Sequence, residues 1–364
     1  MRQLRAAVLI SLSAVTVSGC WSHSFPAVES FIRPVEQQTS LAETVQVFAD
    51  PNGTFYPTGW TSHMGRPRSW KADSLLNESN DDPAFRKLIE DGERQQLAEL
   101  AAFAAPRKRI FVLIHGYNNT MKEAEGAYRL IEQRLGARSD DGIIRFYWDG
   151  LSGKGVGGGK IWFNASGYSQ LVGSRGLRRV LSTFSGKQVY LIGHSRGASV
   201  ILSALGDPVY HPGFLSDTKK VAATWGSTYS DFLKPAALPA SGNKISILAL
   251  APAVDRIDFC DASQQPVRPG RYTCRTYRDL GEVTSFRYTV NARDPVLNKF
   301  IGLSAGFNPT GLGLRDEVGE TLARRYGFMT PYRFSAPEKF HRFSLYVEHP
   351  SFSAMLSDAG IAKP

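Results

Sequence analysis

The sequence of 364 residues lacks any long apolar run beyond its first twenty residues, which excludes a protein that crosses a membrane several times. It also lacks the composition of collagen or of a coiled coil. Acidic residues are fewer than basic ones, 33 against 43, and the net charge of +10 favours anionic surroundings without identifying a partner. The hydrophobic fraction of 42% provides enough apolar surface for a large core and excludes disorder as the main state.

The first twenty residues follow the order of a secretory signal, with a basic head, an apolar stretch at residues 6–17 and then small residues. Val17-Ser18-Gly19-Cys20 resembles the lipobox of bacterial lipoproteins, which implies cleavage before Cys20 and a diacylglycerol group on its thiol. An ordinary signal peptide with an incidental cysteine is the alternative. Because Trp21 and not Asp follows, the resemblance implies an outer-membrane protein facing the periplasm. Cleavage removes two arginines and no acids, which leaves a net charge of +8.

Cysteine is scarce, and only Cys260 and Cys274 remain once Cys20 is set aside. An even pair in an oxidising compartment predicts a disulfide that closes a short loop, and two free buried thiols are the alternative. Two cysteines without flanking histidines make a poor zinc site, so we expect neither a metal nor a cofactor.

The chain is predicted to consist of a signal peptide at residues 1–19, a polar tether at 20–42 and a single domain at 43–364. From residue 109 onward, short apolar strands alternate with helices, which predicts an α/β fold with a doubly wound, mostly parallel sheet. Residues 206–243 and 256–284 are interpreted as insertions between core elements. Predicted strands lie at 44–48, 54–56, 109–114, 142–148, 188–192, 245–250, 286–290 and 343–347, and predicted helices at 83–104, 121–135, 168–184 and 196–205.

The most informative motif is Gly193-His194-Ser195-Arg196-Gly197, which directly follows a buried strand and opens a helix. Gly-x-Ser-x-Gly alone is weak, but in this context it indicates a nucleophile elbow, in which a sharp turn exposes the serine oxygen above the sheet. Flanking glycines allow the tight turn, and the helix N-terminus favours negative charge beside the serine. A serine that merely caps the helix is the alternative.

Three further features accompany this motif: a strand followed by His115-Gly116-Tyr117-Asn118-Asn119, a strand ending in Phe146-Tyr147-Trp148, and a late histidine. Together they resemble the α/β-hydrolase superfamily over about residues 108–355, and most closely its bacterial branch of hydrolases of unknown function. The resemblance implies a Ser, acid, His order of catalytic residues. Arg196 departs from the apolar residue that relatives often have there, and it either favours an acidic substrate group or pairs with a local acid.

Elimination among the seven histidines leaves two candidates for the base, His341 and His349. His349 is preferred because it follows the predicted last strand, on a loop at the carboxyl edge of the sheet. His341 is the alternative, and a surface role for His349 stays open.

The acid should follow a strand and precede the histidine. Asp294 lies on the loop after the predicted strand at 286–290, although an aspartate before a proline is also a common helix cap. Asp255, after the preceding strand, is the alternative. The acid would orient the imidazole and stabilise its charged form.

The backbone N–H groups of Tyr117 and Arg196 are the candidates for the oxyanion hole, because the resemblance places donors on the loop after the first core strand and on the residue after the nucleophile. His115 could brace that loop through hydrogen bonds.

Two other stretches carry weaker signals. The glycine-rich segment 150–160 fails the phosphate-loop pattern because Lys160 is followed by Ile161, and it is interpreted as a flexible loop over the site entrance. Arg268, Arg271, Arg275 and Arg278 are interpreted as a solvated face or as a contact with anionic lipid head groups. No nucleic-acid site is expected.

The leading hypothesis is a lipid-anchored serine hydrolase that cleaves an ester, thioester or amide of a small-molecule or lipid acyl substrate, with a carboxylic ester as the favoured class. A non-catalytic envelope lipoprotein that binds a partner is the rival from another class. Acyl transfer to an acceptor other than water would use the same residues.

Overall fold

The computed structural model of the chain describes residues 21–23, 26, 41–64, 74–153, 156–210, 212–226, 228–234, 236–262, 276–300 and 310–362. Its strands are β1 Trp21–Ser22, β2 Glu43–Ala49, β3 Arg109–Ile114, β4 Asp141–Trp148, β5 Ser152–Gly153, β6 Gln188–His194, β7 Lys244–Leu250, β8 Val283–Val290 and β9 Met329–Arg333. Its helices are α1 Thr61–Met64, α2 Leu75–Glu78, α3 Pro83–Ala104, α4 Met121–Arg134, α5 Val156–Leu171, α6 Arg178–Leu181, α7 Gly197–Leu205, α8 Pro212–Thr224, α9 Tyr229–Leu233, α10 Pro295–Phe300, α11 Asp316–Ala323, α12 Phe343–Glu348 and α13 Pro350–Asp358.

Seven strands form one all-parallel sheet in the order β2-β4-β3-β6-β7-β8-β9, flanked by helices. Every residue of β3 and β4 is buried, as expected for strands covered by helices on both faces. The prediction of an α/β fold with a doubly wound, mostly parallel sheet is confirmed. The chain passes from β3 outward to β4 and then returns to the other side of β3 with β6. A crevice therefore opens at the carboxyl ends of β3 and β6, where open parallel sheets bind their ligands.

Helix starts follow the chemistry of the sequence. Asp82 caps α3, its carboxylate accepting from the backbone N–H of Phe85, and proline occupies the first turn. Thr120 and Glu123 form a reciprocal capping box at the start of α4. The predicted helix at 168–184 is part of a longer helical run, in which a π-helical segment, Val172–Leu177, joins α5 to α6.

The end of the domain differs from the prediction, because residues 343–347 form helix α12 and not a strand. Phe343, Tyr346 and Val347 are its buried residues, and the spacings of three and four place them on one face of a helix. The last strand is β9, earlier in the chain. The predicted strand at 54–56 is reduced to a single antiparallel bridge between Ala49 and Phe55.

The first predicted insertion, 206–243, lies between α7 and β7 and contains α8 and α9, whose apolar residues form a small separate cluster. In the second, 256–284, Cys260 is buried, whereas Cys274 lies outside the described residues, so the disulfide stays a prediction. The glycine-rich segment is not an open loop in its described part, since residues 152–153 form β5 and 156–160 begin α5.

Within the ranges given above, no helix combines the length and the apolar character needed to cross a membrane. Cys20 and the predicted signal peptide lie outside those ranges. Most of the predicted tether does as well, but Trp21–Ser22 is a strand.

Candidate active site

Ser195 stands on a sharp turn between β6 and α7, with a φ of 53°. A side chain in this left-handed region is strained, so the surrounding packing has to hold it there. Its backbone N–H donates to the carbonyl of Leu250 at 2.9 Å. A Cβ added to Gly197 would lie 2.7 Å from the carbonyl oxygen of Ile114. The second glycine of the motif is therefore required by the close approach of α7 to the end of β3.

His341 contacts the serine: its Nε2 lies 2.9 Å from Ser195 Oγ. Its Nδ1 lies 2.7 Å from Oδ2 of Asp294. Because an ionised carboxylate only accepts hydrogen bonds, the proton belongs on Nδ1, which leaves the lone pair of Nε2 facing the serine hydroxyl. The three side chains form the chain of contacts that general-base activation of a serine needs.

Asp294 is completely buried, and its carboxylate is surrounded by hydrogen-bond partners. Its Oδ1 accepts from the backbone N–H groups of Val296 and Leu297, at 2.9 and 3.0 Å, at the start of α10. Its Oδ2 accepts from the hydroxyl of Tyr346 at 2.7 Å as well as from His341. The residue is thus a helix cap and the partner of the histidine at once, and the two interpretations of the sequence do not exclude each other.

His349, the preferred base from the sequence, is not brought to Ser195. It caps helix α13, with its Nδ1 accepting from the backbone N–H of Ser351 at 3.1 Å, and its ring stacks on Phe334 at 3.6 Å. Burial lowers its pKa. The correction to His341 follows from the secondary structure. The prediction of His349 depends on residues 343–347 being the last strand, but these residues belong to helix α12. The loop before α12 contains His341 and reaches the serine.

Asp255, the alternative acid, serves elsewhere. It caps a short 3₁₀ helix, Arg256–Phe259, where its carboxylate accepts from the backbone N–H of Arg256 at 2.7 Å. No contact between Asp255 and either candidate histidine appears among the described residues. Asp294 therefore occupies the place of the acid.

The loop after β3 lies directly against the nucleophile. A Cβ added to Gly116 would be 2.7 Å from Ser195 Cβ and 2.9 Å from the carbonyl oxygen of His194. This glycine lets the loop carrying Tyr117 come close enough to border the serine. The ring of Tyr117 packs edge-on against Trp162 at 4.8 Å, so the side chain is turned into the core.

His115 braces this loop from below. Its Nδ1 donates to the carbonyl of Gly116 at 2.8 Å, and its Nε2 accepts from the backbone N–H of Trp148 at 3.1 Å. Burial lowers the pKa of His115 to about 4, which keeps the ring neutral and able to make both bonds at neutral pH. The bracing role considered from the sequence is the one the structure contains.

Arg196 does not place a cation in the site. Its buried guanidinium donates to the carbonyl of Ala253 at 2.8 Å and to the hydroxyls of Ser169 and Ser199 at 2.9 and 2.6 Å. Asp258, whose pKa is raised to about 6 by burial, lies 4.0 Å away. Of the two expectations for Arg196, pairing with a local acid is therefore the one that fits.

His194 and Tyr346 are functional residues that the sequence argument missed. His194 Nε2 donates to the backbone carbonyl of His341 at 2.9 Å, and its ring stacks on Phe343 at 4.6 Å. Burial, and then the nearby His341, lower the pKa of His194 well below its ordinary value. The only indication in the sequence is that His194 directly precedes Ser195. The histidines were compared only as candidates for the base, and a supporting role for His194 was not predicted.

A cavity of about 680 Å³ opens beside the histidine. His194 and His341 line one side, Tyr117 and Asn118 line another, and the remaining wall is mostly apolar and comes from α4, α10 and α12. Leu130, Val296 and Phe343 are its larger apolar residues. This volume is typical of small-molecule sites, and His341, which lines the cavity, connects it to Ser195 and Asp294.

The arginine cluster near the predicted disulfide is only partly described. Arg278 is buried, and its guanidinium donates to the carbonyl of Asp207 at 3.2 Å, so it is not part of a solvated face. Arg268, Arg271 and Arg275 lie outside the described residues.

Residues 90–228 match the model of a family described as an alpha/beta hydrolase of unknown function, DUF900. The seven-stranded parallel sheet with its flanking helices is consistent with the α/β-hydrolase fold of that family. The matched stretch runs from α3 to the end of the α8 region and includes His115, Gly116 and Ser195. Asp294 and His341 lie beyond it, so their place in the candidate site rests on geometry alone. No curated protein matches the chain.

Proposed function

We propose that this α/β-hydrolase is a serine hydrolase that cleaves an ester, thioester or amide through an acyl-enzyme, with carboxylic esters as the favoured class. The observation that carries the proposal is the chain of contacts from Ser195 Oγ to His341 Nε2 at 2.9 Å and from His341 Nδ1 to Asp294 Oδ2 at 2.7 Å. A serine hydroxyl becomes an effective nucleophile when a positioned base accepts its proton.

In the first step, Ser195 Oγ attacks the carbonyl carbon while His341 Nε2 takes the hydroxyl proton. The imidazolium is stabilised by Asp294, whose negative charge is held in place by two backbone donors and by Tyr346. His341 then returns the proton to the leaving alcohol, thiol or amine as the carbonyl–heteroatom bond breaks. Water attacks the acyl-serine by the same route and releases the acid.

The developing oxyanion would be held by the backbone N–H groups of Tyr117 and Arg196. Support comes from the close approach of the Gly116 loop to Ser195 and from the position of Arg196 at the start of α7. A donor in such a hole is worth about 10²–10³ in kcat, because it acts where the charge develops. The neutral His115 contributes indirectly by fixing the loop.

We also propose that the protein is anchored to the bacterial envelope by lipid on Cys20, on the lipobox-like tetrad alone. The partners in this proposal are a small-molecule or lipid acyl substrate and the membrane. Globomycin-sensitive processing and the mass of the mature N-terminal peptide would test it. An unmodified Cys20 peptide would contradict it.

Labelling with a fluorophosphonate, read out by intact mass, tests the catalytic assignment. The wild-type protein should gain one adduct, and Ser195→Ala should gain none. His341→Ala should lose labelling, whereas His349→Ala should retain it, and this pair separates the two histidines. In an ester assay, turnover should fall by about 10⁴-fold or more when Ser195 or His341 is replaced. A folded wild type that resists the probe and hydrolyses no ester would favour the non-catalytic binding protein.

A further inference from the structure

The residues directly after Cys20 are fixed to the domain. Trp21 pairs with Gly153 and Ser22 with Ser152 in a short antiparallel ladder, β1 against β5. Next along the chain, Nδ1 of His23 contacts Oδ2 of Asp149, with both side chains buried. This buried imidazole–carboxylate contact adds a specific attachment to the ladder. Separating the two groups inside the protein would be costly, because each would remain buried without the other. We call residues 21–23 the docked segment.

The docked segment is attached to the same turn that supports the oxyanion loop. The carbonyl of Gly150 accepts from the backbone N–H of Asn118 at 3.1 Å. A Cβ added to Gly150 would be 2.9 Å from the carbonyl oxygen of Gly116 and 3.0 Å from Cα of Tyr117. Tyr117 and Asn118 line the cavity beside His341. The turn after β4 that holds the docked segment is therefore in direct contact with the loop after β3 that lines the cavity.

The pairing of β1 with β5 determines at which edge of the sheet the lipid-carrying end of the chain leaves the domain. The domain proper begins at β2, whose first residue, Glu43, lies at the amino edge of the parallel sheet, paired with Gly142 near the start of β4. Ser195 lies at the carboxyl edge, about 20 Å away along a strand of this length. A free tether would start from the amino edge, whereas β5 follows the carboxyl end of β4, so docking holds Trp21, the residue after Cys20, at the edge that contains the serine.

The docked segment also lies close to the turn at Gly150 that contacts the oxyanion loop. Gly153 is three residues from Gly150, so chain length and the pairing of Trp21 with Gly153 keep Cα of Trp21 within roughly 17 Å of Cα of Gly150. An undocked tether of residues 20–42 could extend to roughly 75 Å and let the domain turn in any direction. A lipid on Cys20 would enter the bilayer, and the active-site side of the domain would then face the head groups.

We infer that the docked segment holds the active-site cavity against the membrane that carries the anchor, and that the substrate class is the acyl esters of lipids in that membrane. The inference rests on the proposed function and on lipid at Cys20. The lipid's ester C–O bond breaks as the acyl group bonds to Ser195 Oγ, and the proton released from the serine passes through His341 to the departing lysolipid. Water then cleaves the acyl-serine and yields the fatty acid.

Two insertions of the same Gly/Ser linker of about 20 residues separate docking from simple tethering. One is placed between Cys20 and Trp21, which frees the anchor from the docked segment. The matched control is placed directly before Leu41, a residue 79% exposed, which lengthens the tether but leaves the docked segment and its anchor in place. A third variant, His23→Ala, weakens docking without touching the three contacting catalytic side chains.

The mature lipidated proteins are reconstituted in vesicles of phosphatidylethanolamine and phosphatidylglycerol and assayed for free fatty acid, with p-nitrophenyl butyrate as the soluble comparison. The insertion after Cys20 should lower phospholipid hydrolysis by about tenfold, whereas the control insertion should change it by less than about twofold. His23→Ala should follow the first insertion. Both insertions should retain the wild-type rate on the soluble ester, and for His23→Ala the phospholipid rate is divided by the soluble-ester rate of the same variant, so that a change in the oxyanion loop itself is removed from the comparison.

Equal phospholipid rates for the two insertions would overturn the inference. So would a wild type that hydrolyses the soluble ester but leaves the vesicles untouched, and in that case the serine hydrolase remains. A wild type without activity on either substrate and without probe labelling would refute the proposed function and the inference together.

Discussion

His194 donates a hydrogen bond from Nε2 to the backbone carbonyl oxygen of His341, at 2.9 Å, so the residue before the nucleophile holds the residue that would activate it. The two histidines are 147 residues apart in the sequence, and their rings lie 4.9 Å apart. A neutral His194 is required here, because a second positive charge would oppose the imidazolium that forms on His341. Its depressed pKa provides that neutrality.

Replacing His194 by alanine should lower kcat by about 10–100-fold, because the loop of His341 loses its hydrogen bond and its stacking support and the base moves from its best position. His194→Gln, whose side-chain amide can donate to the same carbonyl, should recover part of the loss. Steady-state kinetics on a soluble ester measure both. Equal rates for the alanine and glutamine variants would show that the hydrogen bond from residue 194 to the carbonyl of His341 does not contribute to kcat.

Tyr346→Phe removes one hydrogen bond to the Asp294 carboxylate and leaves the shape of the side chain almost unchanged. A bond to a charged acceptor is worth about 1.5–3 kcal/mol, so we expect about a tenfold loss of kcat and a lower melting temperature, with KM nearly constant. Burial, followed by the charge of Asp294, raises the pKa of Tyr346 and keeps its hydroxyl as a donor. Tyr332→Phe is the control, since its hydroxyl contacts the exposed Asp358 and not Asp294. A similar loss in both variants would count against a specific role for Tyr346.

Gly116→Ala should abolish most activity, because the new methyl group would lie 2.7 Å from Ser195 Cβ and would push the oxyanion loop away. A displacement of about 1 Å at such a site costs on the order of 10²-fold in rate. Gly327→Ala is the matched control, because nothing lies within 4 Å of the added carbon and Gly327 does not line the cavity beside His341. Rates and melting temperatures of the two variants are compared, and unchanged turnover in Gly116→Ala would contradict the close approach.

The sequence predicted the part of the molecule that depends on local pattern. Buried runs such as Arg109–Ile114 are strands, and the glycines around Ser195 indicated the strained turn at the correct residue. The choice between His341 and His349 depended on whether residues 343–347 are a strand or a helix. The same apolar residues satisfy either pattern over so short a stretch. The packing of Phe343 and Tyr346 against His194 decides it, and that contact joins segments about 150 residues apart.

Contacts between residues that are far apart in the sequence could not be predicted from local sequence pattern either. The sequence alone allows Arg196 to be a cation beside the nucleophile. Its neighbours in the sequence do not predict that its guanidinium contacts Ala253 and lies near Asp258. Trp21 and Ser22 have no periodicity that predicts a strand, and their pairing depends on β5, which lies 130 residues later. Such contacts are set by tertiary packing and not by the composition of either segment.

His115 should make the fold lose stability on acidification. Burial lowers its pKa in the folded protein to about 4, whereas in the unfolded chain it has the ordinary value near 6.5. Between these two values the unfolded chain binds a proton that the folded protein does not, so the stabilisation present above about pH 6.5 decreases as the pH falls towards 4. The difference corresponds to about 3 kcal/mol, as an upper estimate for a fully buried group. His194 acts in the same direction.

The carboxyls of Asp50 and Asp258 oppose this trend, because burial raises their pKa values to about 7 and about 6 and the folded state gains stability as they are protonated. The contribution of His115 is therefore measured as a difference between wild type and His115→Gln, in urea unfolding at pH 7, 5.5 and 4. The variant should be less stable than the wild type near pH 7, and the gap should shrink towards pH 4 as the wild type loses its advantage. His349→Gln, at a partly exposed site, should show a much smaller change. A gap that stays constant across this range would mean that the pKa of His115 does not change on folding, and the permanently neutral brace beneath the oxyanion loop would have to be abandoned.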